Sequence, residues 1–272
     1  MAKDRPSFDG LYSPDDTLWQ INRELLIMAA GPRALLLELA HPLVARGVAE
    51  HSNFRANPLK RLLNTVRVMQ LLSFGGVGAA RLAAYHNHQC HQQVRGEGYD
   101  ANDPELRLWV FATLVDSILA AHDAFIRPLA MIEKAAYYDD SKRMARLLGV
   151  PAQVMPPTYA DFTAYVTAML TGGTLQVGQQ ARQIVAALTG HRLMGGAARI
   201  GLFLGFGLLP DSTRQAFGFT WTARHERYFQ FAARWSRRLR ASLPDFLLTQ
   251  PVAWLAYYRW RVHNAGAPGL NR

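Results

Sequence analysis

Apolar residues recur along this chain three and four positions apart, the spacing of one face of an α-helix. The clearest run opens at Asp103-Pro104-Glu105 and carries Leu106, Val110, Leu114, Ile118 and Ala121 on one stripe. An acid before a proline is a strong start signal. The side chain can cap orphan N–H groups, and proline fits the first turn, where its missing N–H costs nothing. Ser13-Pro14-Asp15-Asp16 gives the same signal for a helix carrying Trp19 to Ala30. Gly31-Pro32 is expected to end that helix and Pro32 to start another through Leu39, with His41-Pro42 as the next boundary. Asn57-Pro58 predicts a helix over Leu59 to Leu72, stopped at Gly75-Gly76, and Gly78 leads into one through about Val94.

The second half continues in the same way. Helices are predicted over Lys134 to Leu148, over Phe162 to Leu170 behind a Thr158/Asp161 capping box, and over Leu175 to Leu188. Asp211 is expected to cap one long Arg-rich segment reaching about Arg240, and Pro251 to open a last helix through Trp260. No run alternates apolar and polar residues, no turn signal suggests a hairpin, and neither a repeat nor a Ser/Gly/Pro-rich linker divides the chain. The expected fold is all-α. It is one large multi-helix domain over residues 1–272, with an Arg-rich helical part over 211–272 and a haem-sized apolar pocket between core helices.

Half of the 272 residues are hydrophobic, enough for a sizeable core. The single cysteine, Cys90, excludes an internal disulfide and fits a reducing compartment. Met1 to Asp16 is polar and lacks the pattern of a secretion signal. Leu25 to Val48 is apolar but carries Arg33, Glu38, His41 and Arg46, and Ile200 to Leu209 is short; both are expected to be buried core helices. A cytoplasmic protein is the expectation. The formal charge of +10 favours anionic partners, although a solvated arginine surface accounts for it equally well. No compact basic run of the nucleic-acid-binding type occurs. The arginines and aromatics after Asp211 leave peripheral membrane contact open beside an ordinary amphipathic core helix.

Two constellations can carry chemistry. Tyr85-His86-Asn87-His88-Gln89-Cys90-His91 packs three imidazoles and a thiol into six positions. At about 100° per residue a single helix cannot turn all four toward one ion, and no second cluster supplies the remaining ligands of a closed zinc site. One imidazole suffices as an axial haem ligand, given a partner for its other nitrogen and an apolar slot. The second constellation is Arg61-Leu62-Leu63-Asn64-Thr65, which sets Arg61, Asn64 and Thr65 on one polar stripe. Such a stripe can bind a carboxylate such as a haem propionate, or can instead pair locally within its own helix. His41 and the Glu50-His51 pair are weaker candidates. His41 is accounted for by the helix end it occupies, Glu50-His51 by a surface pair. Neither a Gly-x-Ser-x-Gly elbow nor a nucleotide fingerprint occurs.

Six short motifs recur in a familiar order: Ala40-His41-Pro42-Leu43-Val44-Ala45; Asn57-Pro58 with Arg61 and Thr65; His91 with Val94 and Gly96; Tyr99 with Ala101; Asp103-Pro104-Glu105-Leu106 with Trp109; and Leu147-Leu148-Gly149-Val150-Pro151. Over about residues 20 to 220 the chain resembles the family that joins the fungal MpaB oxygenases to the catalytic domain of the latex-clearing rubber oxygenases. The resemblance implies an all-helical fold, haem b, and an enzyme that uses dioxygen. It implies His91 as the proximal iron ligand and the Arg61, Asn64, Thr65 stripe on the distal side. The rubber oxygenases have lysine where this chain has Asn64, and an amide cannot act as a cation or an amine ligand, so the resemblance does not extend to rubber cleavage. Their catalytic glutamate has its nearest candidate here in Glu50. The resulting expectation is a haem protein that activates dioxygen or peroxide against a small apolar substrate. The alternatives are a non-catalytic carrier of haem or of a lipid-like ligand, and a peripheral membrane protein.

Overall fold

The computed structural model describes residues 10–51, 58–190 and 196–264, with the side chains of 58–62, 197–198 and 264 outside the description. The architecture is all-α, as the periodicity predicts. Its centre is a pair of helices, α2 (Ala30–Ala40) and α6 (Pro104–Phe125), packed along their lengths. Leu36, Leu37 and Leu39 of α2 are sealed from solvent, and each contributes about 2 kcal/mol through burial. Trp109 of α6 packs against them and donates its indole N–H to the carbonyl of Leu37 at 3.3 Å. Arg33, also buried, ties the pair together: it bonds Ser117 Oγ at 2.8 Å and Asp116 at 2.6 Å, both on α6. The start of α6 follows its sequence signal, with Asp103 Oδ1 accepting from the N–H groups of Glu105 and Leu106.

The other helices surround this pair. Near the N-terminus α1 (Thr17–Asn22) packs on α7 (Met131–Leu147). After the bend at His41, α3 (Pro42–His51) packs on α9 (Gln179–Thr189). A helical hairpin follows, α4 (Pro58–Phe74) and α5 (Val77–Gln92), joined at Gly75-Gly76. Next to α7 stands α8 (Tyr159–Thr171), which opens with the expected Thr158/Asp161 capping box. One flank is closed by α10 (Gly196–Gly207) and the short α11 (Asp211–Ala216). Last come α12 (Ala223–Ser242), α13 (Asp245–Leu248) and α14 (Pro251–Asn264); α12 reaches α6 and α14 reaches α4.

Several boundaries differ from the sequence expectation. The stretch from Trp19 to Ala30 is not one helix: α1 ends at Asn22, and a 3-10 helix, Leu25–Ala29, leads directly into α2. Gly31-Pro32 does not stop the chain. Pro32 is the third residue of α2, inside the first turn, where no N–H partner is required. The break falls at Glu24, which is extended and pairs with Thr249 in an isolated bridge. The Arg-rich segment is split between α11 and α12 at Gly218, whose φ of +77° is costly for any other residue. Ile200 to Leu209 is only partly buried, with Ile200 exposed. A two-residue antiparallel ribbon, β1 (Arg95–Gly96) and β2 (Tyr99–Asp100), was not expected from the sequence.

Among the described residues, α6 is long and apolar enough to cross a membrane by length and composition, and 67% of its most apolar window is buried inside the fold. Leu25–Ala40 with Pro42–His51 passes the same test only as a pair bent by 102°. Both segments form the core.

Candidate functional site

A cleft of about 830 Å³, counting the space continuous with solvent, opens between the 3-10 helix, α2, α4 and α6. The cavity proper is about 100 Å³, smaller than preformed small-molecule sites of about 300–1,000 Å³. Its walls are mainly apolar, with Ala34 and Leu35 from α2, Met69 from α4 and Ile118 from α6. Its polar lining falls into two groups. In the first, Asn22, Ser73, Gln70 and Gln250 satisfy one another. Asn22 donates to Ser73 Oγ at 2.9 Å and accepts from the Tyr137 hydroxyl at 3.0 Å. Gln250 donates to the carbonyl of Asn22 and accepts from Gln70, each at 2.7 Å. This network joins α1, α4, α7 and the start of α14. The second group is Glu38 of α2 and Thr65 of α4, a carboxyl and a hydroxyl in an otherwise apolar wall.

The predicted site residues fall as follows. Thr65 lines the cleft. Asn64 beside it is exposed, as is Thr65 itself. Arg61 lies one turn earlier on α4, and its side chain is outside the described residues. His91 lies near the end of α5 and is not among the residues lining the cleft. Arg61 is 13 residues before the end of α4 and His91 is 14 residues after the start of α5. At 1.5 Å per residue each is about 20 Å from the Gly75-Gly76 turn, at the open end of the hairpin.

The His/Cys cluster separates by exposure. His86, His88 and Cys90 are exposed, and His88 is held by Gln92 and Arg107. His91 alone is half-buried. It follows Ala80 and Ala84, both buried, by eleven and seven residues, which places it on the inward face of α5. Its Nδ1 lies 2.7 Å from the carbonyl of Asn87. A carbonyl only accepts, so Nδ1 carries a proton, and in the neutral ring the lone pair is then on Nε2.

The residues after His91 hold this helix end in place. Val94 packs against Gly47 of α3, where a Cβ would come within 3.3 Å of it. Tyr99 lies against Gly96 and donates its hydroxyl to Glu50 Oε2 at 2.6 Å. His51 Nε2 donates to the Tyr99 oxygen at 2.9 Å and to the carbonyl of Arg95 at 3.1 Å. The bonds to Tyr99 and Arg46 pull the Glu50 carboxyl below its usual range, and burial with the Glu50 bond pushes Tyr99 up to about 12. Glu50 and His51 are therefore more than a surface pair. They clamp the ribbon that anchors α5, and Glu50 is not among the residues lining the cleft. The acid in the cleft wall is Glu38, which the sequence presents only as a charge interrupting an apolar stretch. A lone acid within Leu35–Leu39 was the available signal. His41, expected to act through the dipole of a helix end, is instead buried at the bend, and burial lowers its pKa.

The profile of the family described as ER-bound oxygenase mpaB/B'/Rubber oxygenase, catalytic domain, matches residues 18–238. The chain belongs to this family. Among its relatives are two mycobacterial proteins, one from Mycobacterium tuberculosis and one from Mycobacterium bovis, each described as uncharacterized. Each is 28% identical over 211 residues, covering 72% of this chain and 82% of the relative. No solved structure matches this chain. Membership accounts for the order of the six motifs, and the structure supplies a physical reason for one of them. In His-x-x-Val-x-Gly, the valine and glycine are the residues that seat the end of α5 on α3 and on Tyr99.

Proposed function

We propose that this family member is a haem b-dependent oxygenase that uses dioxygen, or peroxide, on a small apolar substrate held in the cleft. The observation that carries this reading is the state of His91. It is the one member of its cluster turned inward, and its tautomer leaves Nε2 as the nitrogen able to ligate iron. A backbone carbonyl on the other ring nitrogen is the usual support of an axial histidine. The donor set therefore fits a haem held from one side by His91, with Arg61 and Thr65 the candidates for the opposite side or for a propionate.

When bound, haem supplies the dioxygen binding and one-electron chemistry that side chains cannot. The chain's own residues do the rest. The apolar walls of α2, α4 and α6 bind and orient the substrate and exclude water. The Thr65 hydroxyl can donate a hydrogen bond at the α4 wall, and Glu38 is placed to hold or accept a proton in the same cleft. Asn64 can only donate or accept hydrogen bonds, so this chain lacks the distal lysine of the rubber oxygenases and keeps Arg61 as the cation of that stripe. The fold needs α4 to serve two purposes, one face lining the cleft and its early turns facing the haem side.

The test is the optical spectrum of protein titrated with hemin. A Soret band that is lost in His91→Ala and kept in His86→Ala and His88→Ala is expected. A band unchanged in His91→Ala would overturn the assignment.

The position of His91 outside the cleft lining favours a second reading, a carrier that binds an apolar ligand without turnover. Oxygen uptake by hemin-loaded protein with a panel of polyisoprenoids and unsaturated fatty acids separates the two. Uptake above that of free hemin supports the enzyme, and ligand binding with no uptake supports the carrier.

A further inference from the structure

The C-terminal helices carry an outer surface that is both apolar and basic. On α12 the buried residues Phe229 and Ala233 define the inner side. Tyr228, Phe231, Trp235 and Leu239, spaced three and four apart, form a stripe on the outside, and Trp235 is 52% exposed. Phe231 and Trp235 stack on each other at 6.3 Å with their planes 9° apart. Exposed Arg227, Arg234 and Arg238 flank that stripe. On α14 the arrangement repeats. Ala253 and Ala256 face inward, and Trp254, Leu255, Tyr258 and Val262 face outward. Between them Phe246 and Leu247 of α13 continue the exposed apolar run.

The charges on these helices are one-sided. From Ala223 to Asn264 there are eight arginines and two acids, a surplus of six. Both acids are already engaged: Glu226 accepts from Trp221 and Gln230, and Asp245 from Arg23 and Arg240. A second copy of this chain would bring like charges together, which disfavours self-association here. A nucleic acid would satisfy the arginines but not the exposed leucines, valine and stacked indoles. Aromatic and aliphatic side chains flanked by arginine match the boundary of an anionic bilayer, where rings lie at headgroup depth and cations meet lipid phosphate.

We infer that the outer faces of α12, α13 and α14 form an interfacial surface that seats the protein on an anionic lipid bilayer. The surface borders the cleft, since Gln250 lines the cleft and the next residue opens α14.

The experiment is vesicle flotation of the full chain without hemin, so that its outcome is independent of the haem assignment. Phosphatidylcholine vesicles with and without roughly a third phosphatidylglycerol are compared, with brominated acyl chains as quenchers of Trp235 and Trp254. Flotation on the anionic vesicles only, reversed by salt, with quenched tryptophan emission, is expected. Arg227→Gln/Arg234→Gln/Arg238→Gln should weaken binding roughly fivefold per residue, about a hundredfold together. Phe231→Ser/Trp235→Ser should weaken flotation and reduce the quenching of Trp254, the reporter that remains. All five side chains are exposed, so melting temperature and circular dichroism serve as controls for folding. Absence of flotation on anionic vesicles, or flotation unaltered by both variants, overturns the proposal. So does a dimer, seen by light scattering without lipid, that Phe231→Ser/Trp235→Ser dissociates.

Discussion

Gly96 lies beneath the ring of Tyr99 with no room for a side chain: a Cβ there would stand 2.7 Å from Tyr99 Cε1. The contact links the ribbon after α5 to α3, because Tyr99 also bonds Glu50 and His51. Gly96→Ala must push the ring outward and loosen both bonds. A loss of about 1–3 kcal/mol in stability is expected, the usual cost of overpacking, measured by urea denaturation. Because the ribbon anchors the helix end carrying His91, hemin affinity should fall in the same variant. Tyr99→Phe, which removes the bonds and keeps the ring, should cost less in stability. Hemin affinity unchanged in Gly96→Ala would separate the ribbon from the proposed site.

The helices that could be read from the sequence are those whose ends are decided locally. Asp103 caps α6 and Thr158 with Asp161 caps α8 by contacts within three residues, so the signal and the structure coincide. The misread boundaries have distant causes. Glu24 breaks the first helical stretch because its carboxylate is held by Arg240, 216 residues away, a relation no local window contains. Gly31-Pro32 looked like a stop because proline usually is one, yet position within the first turn removes the penalty. The ribbon at Arg95 escaped notice because two-residue strands have no alternation to detect. For the site, spacing could show that four His/Cys residues cannot share one ion, but not which of them faces inward. Selection of His91 came from resemblance, and its burial on the Ala80–Ala84 face is tertiary information. Glu38 was missed because an acid next to apolar residues is ambiguous until a cleft is seen beside it.

The Arg240–Glu24 pair provides a second prediction. Both guanidinium contacts are 2.9–3.0 Å, and the Glu24 side chain is only 6% exposed. Arg240→Met leaves that carboxylate buried without its main partner and should destabilise the fold by about 3–5 kcal/mol. Glu24→Gln/Arg240→Met, which removes the buried charge as well, should recover a large part of the loss. A double-mutant cycle by denaturant unfolding checks this. Additive losses would show that the pair does not hold the break between α1 and the 3-10 helix.

A third prediction concerns the cleft. Ala34 is buried and borders the open space between α2 and α4. Ala34→Leu adds apolar volume where there is room for it, so stability should change by no more than about 1.5 kcal/mol. Binding of an apolar probe, such as a fluorescent fatty acid, should weaken at least tenfold, because the added side chain occupies its place (about 1.4 kcal/mol or more). Hemin binding through His91 should be unaffected, since that residue lies outside the cleft lining. Equal probe affinity in the variant and the parent protein would remove the cleft as the ligand site.

The last prediction follows from two buried imidazoles. His41 sits at the bend between α2 and α3, and its Nδ1 has no hydrogen-bond partner among the described residues. His122 is buried near the end of α6, with Nδ1 2.9 Å from the carbonyl of Arg127. Burial lowers the pKa of each below the ordinary 6.5; for His41 the attraction of Asp103 opposes this only partly. The unfolded chain therefore takes up these protons at a higher pH than the folded one does. Above about pH 7 both states are unprotonated and stability is at its full value. As pH falls through 6.5 the unfolded state gains protons first, and stability declines until the folded pKa values are reached. Each residue contributes a slope of at most about 1.4 kcal/mol per pH unit. Urea midpoints measured from about pH 7.5 down to about pH 5.5 should fall, and His41→Gln/His122→Gln should flatten that fall. The same slope in the double variant would assign the acid sensitivity to other groups. A rise in stability on acidification would mean that the imidazoles are protonated inside the folded protein, which their burial opposes.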